Sequence, residues 1–358
     1  MRLSELTASV SRLALVGLAK NTGKTEALAA LLRECEADGR RVGVTSVGRD
    51  GEERDVIDSR IEKPRVRLPG ASLVATTDGL LRASGLPHEL LEDTGVRTPL
   101  GRVLIARLRG PGTIEVAGPS AAADVRAVSD AMLGHGAEQV LIDGAIDRRA
   151  ASCPDVADGL VMSTGAVLGE DIDDVVSRTL DAIDLVRLAR VDDASEGGRR
   201  LRALADRAVP MLVGEDSEPA LLPARFALTG EVEQIAQLLD ANPGARWLIV
   251  AGALPEAFLR DLAHAAHRRQ RAITVVVADS TKVFLSKRGP GWYRRQGVDI
   301  QVVNAIALKA LTVNPVAPQS HRFDSARLRA LLAERIADVP IFDVLHADYG
   351  GVPRPLAR

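Results

Sequence analysis

The chain has 358 residues, a formal net charge of −2, and 46% hydrophobic but only 3% aromatic residues. That length suits two domains or one large α/β domain with an aliphatic core. The near balance of charge gives no global field toward nucleic acid or an anionic membrane, and so few rings argue against stacking along single strands. The two cysteines, Cys35 and Cys153, fit a reducing compartment and stand outside any CxxC spacing; a single disulfide is the alternative. No apolar stretch reaches membrane-spanning length, and residues 1–5 lack the apolar core of a signal peptide, so a cytoplasmic protein is expected.

Short Val/Ile/Leu runs alternate with longer helical patterns, which predicts an α/β fold with a mostly parallel sheet flanked by helices. In chain order, strands are expected at 13–16, 42–46, 113–116, 139–142, 159–163, 224–227, 247–251, 272–277 and 301–304. Helices are expected at 25–38, 124–135, 171–188, 230–240, 255–269 and 325–337. The run DDASEGGR at 192–199 reads as a connector between an N-terminal nucleotide-binding domain, 1–190, and a further α/β domain, 200–358.

The first strand and first helix enclose GLAKNTGKT at 17–25. Strand, glycine loop and helix in that order make a phosphate-binding loop, because a polyphosphate needs inward-facing backbone N–H groups, a cation and a place for its metal. Gly17 and Gly23 allow close backbone approach, with Lys20, Asn21 and Thr22 between them and Glu26 just beyond. Lys24 reaches the phosphates as a point charge, and the Thr25 hydroxyl ligates Mg²⁺. Five residues separate Gly17 from Gly23, one more than the standard spacing, as in a longer-loop variant of P-loop proteins. Lys20 lies four residues before Lys24, not five, so no trans-acting role is assigned to it. A glycine turn with no ligand explains the same letters less well.

Val140-Leu-Ile-Asp143-Gly144 supplies the carboxylate such a site needs near its metal, with Asp143 on Mg²⁺ directly or through water. An ordinary Asp-Gly turn at a strand end is the competing reading. After the second strand, the segment from Val44 to Asp55 offers Asp50 as a second metal-shell or water-orienting carboxylate, with Glu52 and Asp55 behind it; a charged surface loop accounts for it equally well, and Arg49 reads first as an exposed arginine and only second as a phosphate contact. Pro69-Gly70 and Ala75-Thr76-Thr77 are expected in a loop and short helix near this site. The six histidines are dispersed, and the i, i+3 pair His264 and His267 beside Arg268 and Arg269 reads as a solvated helix face. No DxHxxG cobalamin-binding pattern occurs. In the C-terminal half, Ala278-Asp279-Ser280-Thr281-Lys282 follows a strong strand, Asn314-Pro315 suits either a base contact or a turn, and 287–295 gathers basic residues with Trp292 and Tyr293, suiting a protein contact or a plain surface loop.

Taken together, GLAKNTGKT, TSVGRDGE, KPRVRLPGASLVATT at 63–77, the block from Asp143 to Asp147 and Arg148, and LTVNPVAP at 311–318 resemble the ATP-binding small subunit of the lysine 5,6-aminomutase reactivase, in the P-loop NTPase superfamily. The resemblance spans most of the chain. It implies an accessory ATPase, with ATP and Mg²⁺ as cofactors, that releases damaged cobalamin from an adenosylcobalamin- and pyridoxal-phosphate-dependent aminomutase. It further implies a larger MutS-related reactivase subunit as partner and the aminomutase as client, with self-association also compatible and neither nucleic acid nor membrane expected. Lys24 and Asp50 then carry the catalytic roles, and Thr25 and Asp143 hold the metal. Two other classes stay open. One is a nucleotide-dependent ligase or kinase of the dethiobiotin-synthetase type; the other is a GTP-binding cofactor-maturation protein, which an NKxD motif would favour and this chain lacks.

Overall fold

The computed structural model describes residues 2–48, 65–145, 152–215, 217–223, 226–229, 232–318 and 321–345. Its elements divide into two compact units: residues 1–179 with 306–358, and residues 180–305.

In the first unit, α1 (Leu3–Thr7) leads to β1 (Arg12–Gly17), α2 (Lys24–Ala37), β2 (Val42–Ser46), β3 (Val66–Leu68), β4 (Leu73–Thr77) and α3 (Asp78–Ala83). An antiparallel hairpin of β5 (His88–Thr98) and β6 (Gly101–Leu108) follows, then β7 (Gly112–Ile114), α4 (Ala122–Gly134), β8 (Gln139–Ala145), β9 (Gly159–Gly165) and α5 (Ile172–Val186), within which the unit boundary falls. Strands β1, β2 and β9 are buried almost throughout, small polar residues such as Thr45 and Ser163 included, as parallel strands covered on both faces are. Helix α2 turns Ala27, Leu28, Leu31, Leu32 and Cys35 inward at helical spacing, onto a core shared with Leu13, Leu15, Val44 and Leu141. Gly39, at φ +66, ends it: Arg40 N–H donates to Cys35 O at 2.9 Å and Gly39 N–H to Glu36 O at 3.1 Å, satisfying the last carbonyls.

The second unit contains β10 (Ala189–Arg190), α6 (Glu196–Ala205), β11 (Met211–Gly214), β12 (Ala220–Leu221), α7 (Phe226–Thr229), α8 (Val232–Ala241), β13 (Ala245–Ile249), β14 (Leu254–Pro255), α9 (Glu256–Arg268), β15 (Ile273–Val277), β16 (Val283–Phe284), α10 (Pro290–Arg295) and β17 (Val298–Val302). Its main sheet runs β10-β17-β15-β13-β11-β12, parallel from β10 to β13 and antiparallel beyond. Phe258, Leu259, Leu262 and Ala266 of α9 pack into the core that holds Val275 and Ile300.

The chain then returns to the first unit through β18 (Ala307–Asn314), α11 (Ser325–Arg335) and β19 (Ile341–Asp343). The large sheet therefore reads β19-β18-β9-β1-β8-β2-β4-β6-β5, parallel from β19 to β4. The two units are thus not the consecutive halves 1–190 and 200–358: β18 pairs with β9, which folds residues 306–345 back onto the N-terminal sheet. The presumed connector at 192–199 also starts α6, capped by the Ser195 hydroxyl accepting from Gly198 N–H.

Three local expectations change. Ala75-Thr76-Thr77 is the end of β4, and helix begins only at Asp78. Residues 226–227, read as strand, open α7, and 224–225 lie outside the described residues. The 113–116 strand is the short β7, paired with β3 away from the main sheet.

One carboxylate organises a loop of the second unit. Glu256 accepts hydrogen bonds from Ser286 N–H at 2.9 Å, Lys287 N–H at 3.1 Å, Arg288 N–H at 3.1 Å, Tyr293 Oη at 3.2 Å and the Ser286 hydroxyl. Burial alone would raise its pKa, but these donors outweigh it and hold the carboxyl below its ordinary value. The folded protein then binds fewer protons than the unfolded chain in acid, so this stabilisation is present above the ordinary carboxyl value and is lost as pH falls through the lowered one. Glu256→Gln is expected to cost about 1–3 kcal/mol at neutral pH, and to flatten the acid limb of a stability-versus-pH curve; urea midpoints from pH 3 to 7 read both.

Candidate functional site

The glycine loop is built by the geometry of its two ends. Strand β1 runs out at Gly17, Leu18 N–H donates to Ser163 O at 2.9 Å, and the chain reverses into α2 through Asn21 at φ +64 and Gly23 at φ +86. Both glycines are fixed by contact. A Cβ on Gly17 would lie 2.5 Å from Thr22 Oγ1, and one on Gly23 would lie 3.1 Å from Asn314 Cβ. Buried Thr22 holds the turn by donating its hydroxyl to Ala19 O at 3.0 Å.

Gly23 leaves α2 with no side-chain cap, and its carbonyl accepts from Ala27 N–H at 2.9 Å. Among the described residues, none of the backbone N–H groups from Asn21 to Glu26 donates to a protein acceptor. These donors, at the positive end of a 14-residue helix, form a concentration of unspent hydrogen-bonding capacity suited to an anion. The Thr25 hydroxyl, half-buried, likewise has no hydrogen bond among the described residues.

Lys24 Nζ lies 2.5 Å from Asp143 Oδ1, both side chains about one quarter exposed. Register explains the meeting: Asp143 on β8 is opposite Leu15 of β1 and Ser46 of β2, two residues below the start of the loop at Gly17. Asp143-Gly144 is interior to β8, which continues to Ala145, so the turn reading does not apply. The backbone here is drawn tight, with Val47 N–H donating to Asp143 O at 2.9 Å and Gly48 N–H to Pro119 O at 2.6 Å. Gly118 packs against the end of β2 so closely that a Cβ would fall 2.0 Å from Ser46 O.

A third strand end joins the loop from far along the chain. Asn314 Nδ2 donates to Asn21 O at 2.8 Å, while Asn314 Oδ1 accepts from Val316 N–H at 3.0 Å. Asn314-Pro315 is thus a brace for the glycine loop, a role that neither the base-contact nor the simple-turn reading of the sequence contains. The strand before it, β18, goes unread in the sequence although ALKALTVN is apolar enough to be one.

The structure brings Gly17, Asn21, Thr22, Gly23, Lys24, Thr25 and Asp143 together, with Lys20 and Glu26 exposed at the rim. Asp50, Arg49, Glu52, Asp55, Asp147 and Arg148 lie outside the described residues. His264 and His267 are exposed on α9, as a solvated face requires. Among the described residues, no group of three or more His, Cys, Asp or Glu side chains could hold a metal, and no helix is long and apolar enough to cross a membrane.

Compared with known proteins, the chain matches no family model, no curated protein and no solved structure. The fold itself defines an α/β protein with mixed, mostly parallel sheets flanked by helices.

Proposed function

We propose that the chain is an Mg²⁺-dependent, ATP-binding P-loop NTPase, acting as the ATPase subunit of a reactivating chaperone for an adenosylcobalamin-dependent aminomutase. The observation that carries the nucleotide reading is the run of unpartnered N–H groups from Asn21 to Glu26 around a lysine already paired with a carboxylate one strand away. The client and the larger MutS-related partner rest on the resemblance of the sequence blocks.

The residues present fit a magnesium triphosphate. The loop N–H groups match its oxygens, Gly17 and Gly23 keep the backbone free of side chains, and Thr25 and Asp143 supply hard oxygen ligands for Mg²⁺. Bound there, Mg²⁺ neutralises charge on the phosphoryl oxygens. With a nucleotide at the loop, Lys24 would pair with phosphate in place of Asp143, leaving Asp143 to hold the metal with Thr25. Asp50 is assigned the attacking water. For a chaperone cycle, affinity for the client must differ between nucleotide states, since only differential binding shifts a conformational equilibrium.

Phosphate release from ATP with Mg²⁺ tests the reading, alone and with the aminomutase plus the larger subunit. Weak basal turnover that rises severalfold with those partners is expected. Turnover unchanged by them would overturn the chaperone assignment, and turnover confined to GTP would overturn the ATP preference.

A further inference from the structure

Beside the glycine loop, wholly within the first unit, lies a cavity of about 620 Å³ with Asn21 in its wall. We infer that it is an adenine pocket, in which Asp174 accepts a hydrogen bond from the exocyclic amino group and Arg178 donates to a ring nitrogen. The inference rests on the nucleotide reading above and adds the base and the residues that read it.

Position comes first. Asn21 belongs at once to the loop and to the cavity, and Asn314 ties the two by its 2.8 Å bond to Asn21 O. A nucleotide held by its phosphates at the loop would have this open cleft beside it for its nucleoside, and the size is within the usual range for ligand sites.

The walls supply the second argument. Val167 and Leu168, after β9, and Ala317 and Pro318, after β18, line the cavity with apolar surface suited to a flat ring. The far wall is held in place: Ala317 N–H donates to His321 O at 2.9 Å, Phe323 N–H to Pro315 O at 2.9 Å, and His321 Nε2 to Ala166 O at 3.1 Å.

Charge supplies the third. Asp174 and Arg178, both exposed at the cleft, are one helical turn apart on α5, and neither side chain forms an ion pair or hydrogen bond among the described residues. Unspent acceptor and donor groups in one cavity match a ligand edge that carries both, as adenine does with its 6-amino group and ring nitrogens. Glu170 adds a second carboxylate to the lining, which disfavours a further phosphate there and favours a neutral base. Gly169 lets Asp174 approach: a Cβ on Gly169 would fall 2.4 Å from Asp174 Cβ.

Equilibrium binding of three Mg²⁺-bound probes tests the pocket apart from the loop: ATP, purine riboside triphosphate, which lacks the 6-amino group, and inorganic tripolyphosphate. Wild-type protein is expected to bind ATP about tenfold more tightly than the analogue, as loss of one hydrogen bond to a charged acceptor implies. Asp174→Ala should remove that difference and leave tripolyphosphate unchanged. Arg178→Ala should weaken ATP and the analogue alike, since both keep the ring nitrogens. Equal binding of ATP and the analogue by wild type, or ATP affinity indifferent to Asp174→Ala, would overturn the inference. Tripolyphosphate binding that does not depend on Lys24 would instead overturn the nucleotide reading beneath it.

Discussion

Lys24→Ala is expected to lower Mg²⁺-dependent ATP turnover by about 100-fold or more, the usual cost of removing one group that stabilises transition-state charge, with little change in thermal midpoint. The two effects separate because of where the ion pair lies. With both side chains about one quarter exposed, the Lys24–Asp143 pair contributes only about 0–1 kcal/mol to folding. On the proposed reading its value is functional, since it holds both groups at the loop before ligand arrives. The same pair predicts a reciprocal result for Asp143→Asn. With Asp143 neutral, Lys24 no longer has to leave a carboxylate, so nucleotide binding without Mg²⁺ should tighten. Turnover should still collapse, because the metal has lost a ligand. Phosphate-release rates and metal-free binding of the two variants, measured together, check both signs; weaker metal-free binding by Asp143→Asn would contradict the exchange of partners.

Gly23→Ala is expected to cost both stability and ligand. At φ +86 an alanine is strained by about 1–2 kcal/mol, and its Cβ would lie 3.1 Å from Asn314 Cβ, tighter than an ordinary contact. Relief requires Asn314 and the loop to shift apart by a few tenths of an ångström, which strains the 2.8 Å bond to Asn21 O and displaces the N–H groups on either side of Gly23. Gly39→Ala is the control. Gly39 has a similar φ of +66 but open space around its missing Cβ, at the far end of the same helix. Both variants should lose thermal stability, Gly39→Ala by the φ strain alone and Gly23→Ala by more, whereas only Gly23→Ala should lose nucleotide affinity, by about tenfold or more. Equal ligand losses would mean that helix α2, not the loop geometry, governs binding.

The elements nearest the glycine loop were the most legible in the sequence. Strand β1, helix α2 and strand β8 each pair an apolar run with a chemically distinctive end, and their bounds fall within a few residues of expectation. What was not legible is long-range pairing. Asn314 lies 293 residues from Asn21, and only the pairing of β18 with β9 makes them neighbours. The return of 306–345 to the first sheet was hidden for the same reason: both units use the same aliphatic strand chemistry, so composition does not change where the chain crosses between them. The β5–β6 hairpin was also unread. Its edge strand is half exposed, with charged and polar residues at 89, 92, 93, 94 and 97 and register shifts, so it lacks the dense apolar run that marks the central strands. Nothing in the sequence singled out Asp174 and Arg178 within the helix expected at 171–188, and only their place on a cleft shared with Asn21 sets them apart.

The most direct test of the central claim is isothermal titration of MgATP into wild-type protein and Lys24→Ala under identical salt. One saturable, Mg²⁺-dependent site in the wild type, weakened at least about tenfold in the variant, is the predicted result. Equal heats and affinities in both proteins, or no binding in either, would contradict a phosphate-binding role for the loop.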